Sequence, residues 1–388
     1  MQNMTLRTAM RLKKFGYILF LLPPSLPFLA YLGAQRFGAW DAWSFLVPVV
    51  FFVLIPIADW LIGQDHSNPL QSDEAALKKD RFYPVLLLAC LPLQLAMLVF
   101  GAWVLEHAPF SWLGKAMWVV SVGMVGGVTA INTGHELIHK SNRWLQRAGG
   151  ALLATVGYAS FKVEHIYGHH IHVATARDNS TAKLGENVYG FIARAFAHNL
   201  PQAFVLERAN VARRGEVYRW YRSELTGWYV LTGALCAAFT AVWGIAGLVF
   251  FIGQCIFAVS MLEIVNYLEH YGLTRTVNER GVYERVDPTH SWNSNYLLTN
   301  LLLFQLQRHS DHHAFAARPY QTLRHFDFSP QLPAGYATMV VLALLPPLWR
   351  KVMDPRAVAY NQGRALLIAQ RVRGLASPPD IIGSAPIA

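Results

Sequence analysis

Six stretches of this chain are long and apolar enough to cross the ~30 Å hydrocarbon layer of a bilayer as helices of about 20 residues. They run at about 15–34, 42–63, 82–105, 112–134, 228–243 and 245–266. Composition agrees: the 388 residues are 54% hydrophobic and only 14% charged, where a soluble domain carries about 25% charged residues. Disorder, a collagen repeat and a secreted disulfide scaffold are excluded on the same ground. The expected fold class is an all-α integral membrane protein, a bundle of about six transmembrane helices with a cytoplasmic cap of helices and loops. The fifth and sixth spans are separated only by Trp243-Gly244-Ile245, so a tight turn is expected there. Pro23 and Pro24 interrupt the first apolar run and no small-residue cleavage site follows, so it reads as a retained span rather than a removed signal.

Lysine and arginine placement gives the orientation, because cationic loops stay on the cytoplasmic side. Arg7, Arg11, Lys13 and Lys14 precede the first span and Lys78, Lys79 and Arg81 follow the second, while the outer loops hold only Arg36 and Lys115. Both termini are therefore expected in the cytoplasm, with the chain in the inner membrane of a bacterium. The net charge of +10 follows from this sidedness and does not call for nucleic acid. The organisation expected is four spans and short loops (1–134), a cytoplasmic segment (135–227), spans five and six (228–266), a second cytoplasmic segment (267–375) and a frayed tail (376–388). The apolar run at 336–348 is too short, and too broken by Pro346 and Pro347, to span.

Histidine grouping carries the chemistry. Nine of the fifteen histidines fall into four tight boxes: His135 and His139 in HELIHK; His165, His169 and His170 in EHIYGHH; His270 in NYLEHYG; His309, His312 and His313 in LQRHSDHH. On an α-helix, positions i and i+4 share a face, so HELIH and HIYGH each read as a pair of imidazoles on one face, with His170 beside the second pair. HSDHH supplies i, i+3 and i+4. Imidazole suits iron, zinc, copper and nickel, and about two ions taking four or five nitrogens each use nine donors naturally. HELIHK and NYLEHYG continue the fourth and sixth spans, which places the metal just below the cytoplasmic membrane surface. His66, His107, His198 and His325 read as structural; His172 and His290, near the boxes or matched motifs, are open between structural and supporting roles.

Glu136, Glu164, Glu269 and Asp311 lie beside the boxes and are expected to accept the free ring N–H of metal-bound histidines, which fixes the tautomer. Glu263 and Asn266 sit inside the sixth span, on roughly the face of His270; an ionisable residue in a span is a functional candidate, with a hydrogen bond between helices as the alternative. HELIH alone also describes a zinc hydrolase with Glu136 as base, but that enzyme needs three protein ligands and leaves six of the nine histidines unused. The three cysteines, Cys90, Cys236 and Cys255, lie in apolar stretches and read as packing residues.

The boxes resemble those of the integral-membrane, histidine-rich di-iron family of desaturases and hydroxylases. Within it, NTGHELIHK (132–140), EHIYGHHIHVAT (164–175), NYLEHYGL (266–273), HSWNSNYLLTNLLLF (290–304) and LQRHSDHHA (306–314) are similar to the bacterial alkane monooxygenases. NYLEHYG is the discriminating element, because generic desaturase boxes lack it. DNSTAKLGE (178–186) is similar too, with Asn179 where that family has proline. The resemblance implies two non-haem iron ions held by the nine histidines, with no haem or flavin on this chain. It implies terminal hydroxylation of n-alkanes with O2, and electrons from rubredoxin, itself reduced by an NADH-dependent rubredoxin reductase. A hydroxylase of xylene-like aromatics and a fatty acid desaturase or hydroxylase are the neighbouring readings. An n-alkane offers no polar handle, so an apolar channel is expected, worth roughly 0.8 kcal/mol per buried CH2. The resemblance places the residue that limits substrate length in the second span at Phe51.

Overall fold

The computed structural model describes residues 2–372, so the tail expected at 376–388 lies outside the described residues. Among those residues the chain is helix and loop, with three isolated β-bridges and no strand. Four helices are long and apolar enough to cross a membrane: α1 (Thr8–Phe37), α3 (Phe82–His107), α4 (Trp112–Ile138) and α8 (Glu224–His270). Between the first two lies a shorter apolar helix, α2 (Leu46–Ile62). The 47-residue α8 is two helices joined at Gly244, whose φ of 59° and ψ of −142° break it where the tight turn was expected. A side chain is strained at that φ, and glycine is not. The all-α membrane class therefore holds, with apolar helix at each of the six expected places.

Helix starts follow local chemistry. Ser111, Asn142, Asn187 and Ser223 accept backbone N–H groups at the first turns of α4, α5 (Arg143–Thr155), α7 (Val188–Arg213) and α8. Each cap satisfies a donor that the helix leaves unpaired. Small residues then bring the bundle together, since lipid gives no hydrophobic drive for helices to associate. Gly123 of α4 packs so close to α8 that an added Cβ would sit 2.8 Å from the Gln254 carbonyl oxygen.

The apolar run at 336–348 divides into α11 (Tyr336–Ala343) and the start of a long polar helix at Pro346. It packs Tyr336, Met339 and Trp349 into a buried cluster with Tyr267 and Tyr271 instead of spanning. The remaining site helices are α6 (161–172), α9 (Leu297–Leu302) and α10 (His309–Ala314). Arg308, 1% exposed, donates to the carbonyls of Leu323, Asp65 and Ser67, which ties the chain just ahead of His309 to the end of α2.

Three π-helical stretches interrupt the regular helices: Val50–Leu54 in α2, Gly127–Asn132 in α4 and His165–His169 in α6. Such wide turns are rare and concentrate at functional sites. All three border the same cavity.

Candidate metal centre

The nine boxed histidines converge at one end of the bundle as two groups. His135, His139, His165, His170 and His312 have one ring nitrogen each within 4.8 Å of one another, and so do His169, His270, His309 and His313. The groups adjoin: the rings of His170 and His313 stack with centroids 4.4 Å apart. The partition differs from the simple i, i+4 expectation. In α6 the π-turn carries His165 into register with His170, five residues on, with their Nε2 atoms 3.0 Å apart. His169 turns to the other group. In α10, His309 and His313 share a face as expected, while His312 points into the five-histidine group.

The nitrogens are arranged for a cation. His312 Nε2 lies 3.2 Å from His170 Nε2, and His309 Nε2 lies 3.2 Å from His270 Nε2. Nε2 of His135, His139 and His169, Nδ1 of His309 and both nitrogens of His313 are buried with no hydrogen-bond partner. An unpaired buried polar atom costs about 1–3 kcal/mol, so this many in one place fit a metal that uses them. With bonds of ~2.1 Å, donors at a right angle stand ~3.0 Å apart and tetrahedral donors ~3.4 Å. The observed spacings of 3.0 and 3.2 Å lie at the former value and between the two, and the five donors of the first group exceed a tetrahedral set. The donor chemistry thus fits metal ions of higher coordination number.

Electrostatics keep the rings neutral, the form that binds metal. Burial holds His139 down to about 3, with the Lys140 charge adding to it. Burial and neighbouring imidazoles hold His165, His170, His309, His312 and His313 well below the usual value. His169 is the exception. Burial lowers it, but the Asp178 carboxylate, at 2.9 Å from Nδ1, and the charges of Glu164 and Glu263 together raise it.

Asp178 is the carboxylate that stands behind the His169 ring, leaving Nε2 to face the group. Ser180 N and Thr181 Oγ1 donate to it at 3.0 and 2.5 Å. Sequence reasoning quoted its loop, DNSTAKLGE, without assigning it this contact; the available signal was an Asp followed by Ser and Thr, a pattern that builds a turn around the carboxylate. The acids chosen from sequence fare differently. Glu269 touches His309, but at Nε2 (3.1 Å), the nitrogen that also faces His270, and Tyr336 OH donates to its other oxygen at 2.8 Å. Glu136 turns away to Lys140 and the Tyr320 N–H, and Asp311 to Arg318 and the Arg324 N–H. Glu164 is buried, and burial together with the Asp178 charge pushes its pKa up. Glu263 accepts from Tyr158, Asn199 and Asn266, the hydrogen-bonded arrangement between helices.

The histidines expected to be structural make ordinary contacts. His107 and His198 each donate to a carbonyl one turn back. His66, His325 and Asp327 form a third compact group. Its ring nitrogens are hydrogen-bonded by Gln64 and Asn295 on their far sides, so it closes on itself. The His290 ring donates to Glu284, while its backbone is hydrogen-bonded to His270.

Above the histidines lies an apolar cavity of about 920 Å³, mouth included. Phe51, Met124, Val128 and Val340 line it, and His135, His165 and His309 close one end beside Asn266 and Glu269. Phe51 is 7% exposed.

Residues 110–343 match the fatty acid desaturase family. The chain is 48% identical to alkane 1-monooxygenase 2 of Alcanivorax borkumensis over 91% of this chain and 93% of that one. It is 48% identical to alkane 1-monooxygenase 1 of Pseudomonas aeruginosa over 93% and 95%. A more distant relative is the hydroxylase component of a xylene/toluene monooxygenase of Pseudomonas putida, 29% identical over 60% of this chain and 61% of that one.

Proposed function

The chain belongs to the alkane 1-monooxygenase family, and from that premise we propose that it oxidises the terminal methyl group of n-alkanes to 1-alkanols. The oxidant is O2, the site holds two iron ions, and reduced rubredoxin supplies electrons. The observation that carries this reading is the meeting of an apolar cavity with the two histidine groups: His135, His165 and His309 line the cavity and belong to the groups. The nine boxed histidines would hold the ions, His135, His139, His165, His170 and His312 one of them and His169, His270, His309 and His313 the other. Bound there, iron supplies the redox chemistry that C–H oxidation needs and that zinc, with a single oxidation state, lacks.

The chain's own residues do the rest. The cavity binds hydrocarbon by shape and apolar contact, about 0.8 kcal/mol per CH2, and keeps water from the reacting end. Asp178 holds the orientation and tautomer of His169. Each turnover consumes two electrons and two protons, places one oxygen atom in the alcohol and releases the other as water. A hydrolase with Glu136 as base is disfavoured, because Lys140 and Tyr320 already engage that carboxylate.

Electrons arrive from a separate protein, since three cysteines set in apolar helices do not make a four-thiolate iron site. His139 and His170 are the two of the nine that are not fully buried, and His139 lines an open depression with Lys140 and Lys162. Lys140 and Lys162 are paired there with Glu136 and Glu224, so the partly exposed rings mark the side on which the electron donor docks. The orientation in this proposal is the one read from the basic loops: six crossings of the inner membrane, with both termini and the metal centre cytoplasmic. The test is turnover of octane through hexadecane by membranes carrying the chain, supplied with rubredoxin, reductase and NADH. 1-Alkanols from a wild-type chain, absent without rubredoxin, support the proposal. Oxidation confined to xylene-like methyl groups moves it to the neighbouring reading.

A further inference from the structure

The basic connection between the two halves of the sequence, 208–222, and the helix before it have no part in the metal centre. Their surface nevertheless has a consistent pattern. On α7, Phe191, Ala195, Asn199, Ala203 and Glu207 are buried, at a strict spacing of four. The outward side carries Tyr189 (55% exposed), Phe196 (44%), Leu200 (41%) and Val205 (56%). A polar medium would leave that side polar.

The buried contacts fix the height of α7 on the bundle. The Phe191 ring lies 5.6 Å from Tyr267, Asn199 donates to Glu263 at 3.4 Å, and Phe204 stacks on Tyr229 at 6.3 Å. Glu207 accepts the N–H groups of Glu224 and Leu225, the first residues of α8. Every one of these partners belongs to α8, and α7 lies across the lower ends of both its halves, where the two apolar spans end. The residue after Tyr229, Val230, is 66% exposed on α8, so the outward stripe continues onto a surface already read as facing lipid.

Charge completes the pattern. Arg208, Arg213, Arg214, Arg219 and Arg222 are exposed at and beyond the end of α7, interleaved with exposed Trp220 and Tyr221. Glu216, 3.6 Å from Arg214, is the single acid exposed within 208–222. Aromatic residues with arginine next to an apolar helix face are the composition of a membrane–water boundary.

We infer that α7 is an interfacial helix: its outward stripe is seated in one leaflet, and the 208–222 arginines bind anionic phospholipid headgroups. The full chain is tested in lipid nanodiscs, with bimane on Cys at Phe196→Cys or Leu200→Cys, after Cys236 and Cys255 are changed to Ala. Val282→Cys, on a loop residue 57% exposed, serves as the solvated control. Expected are strong quenching by a shallow doxyl-labelled lipid and iodide quenching several-fold weaker than at position 282. In discs containing phosphatidylglycerol, lipid quenching rises above that in phosphatidylcholine alone, and Arg208→Gln/Arg213→Gln/Arg222→Gln removes the increase. Iodide access equal to the control overturns the proposal and leaves α7 a solvated docking face for a soluble protein. Shielding from both quenchers, with crosslinks between chains, overturns it in favour of a second copy.

Discussion

The two histidine groups differ in what stands around the rings. In the four-histidine group, Asp178 backs His169, Ser291 Oγ lies 3.4 Å from His270 Nδ1, and Glu269 reaches His309. The five-histidine group contacts other imidazoles, and two of its rings, His139 and His170, are partly exposed. Under the proposal above, the first position would hold its ion with acidic side chains beside the rings, and the second, nearer the surface, would suit the entry of electrons. Both draw on EHIYGHH and LQRHSDHH. His312 and His313 are neighbours in sequence and serve different groups, as do His169 and His170.

That division gives the largest expected effect. His312→Ala and His313→Ala should each abolish alkane turnover, yet each should lower metal content by about one ion of two and leave the other group loaded. Loss of both ions from either variant would mean one indivisible site. Asp178→Asn comes next. It keeps the shape but removes the charge behind His169, and should cost about 10–100-fold in activity or metal affinity. Spectroscopy should assign that loss to the four-histidine group alone.

Acid tests the neutral rings. Folded-state pKa values below the unfolded value of about 6.5 mean that the unfolded chain binds more protons as pH falls. Their stabilising contribution is present above that pH and lost below it; His169, shifted the other way, opposes them by one ring. The thermal midpoint of chelator-treated protein should therefore fall by several degrees between about pH 7.5 and 5.5. A flat profile would contradict neutral burial.

Phe51→Ala enlarges the cavity. It should favour longer alkanes by a few-fold per added CH2, from roughly 0.8 kcal/mol each, seen as a shift in the product profile from octane to hexadecane. The smallest effect should come from Glu136→Gln. Its partners are Lys140 and Tyr320, so turnover should stay within about threefold while stability drops by about 1 kcal/mol; an activity loss like that of Asp178→Asn would place Glu136 at the metal.

Much of the fold was legible because apolar runs are local signals. The break at Gly244 and the failure of 336–348 to span could be read from Gly and Pro alone. The convergence of the histidine boxes was legible from their grouping. Their division was not, because the α-helical period assumed for HIYGH fails in a π-turn, where five residues bring His165 back to His170. Asp178 was overlooked because its partner lies across a turn, and Glu136 was overvalued because adjacency in sequence says nothing about Lys140, one turn on. The same wide turns at Val50–Leu54 and Gly127–Asn132 shape the cavity wall, and hydrophobic pattern does not reveal them.

If the two histidine groups at the end of the apolar cavity hold a redox-active metal pair, metal analysis of the purified, active wild-type chain should find about two iron ions per chain. Active protein that contains a single zinc, or no iron, would contradict it.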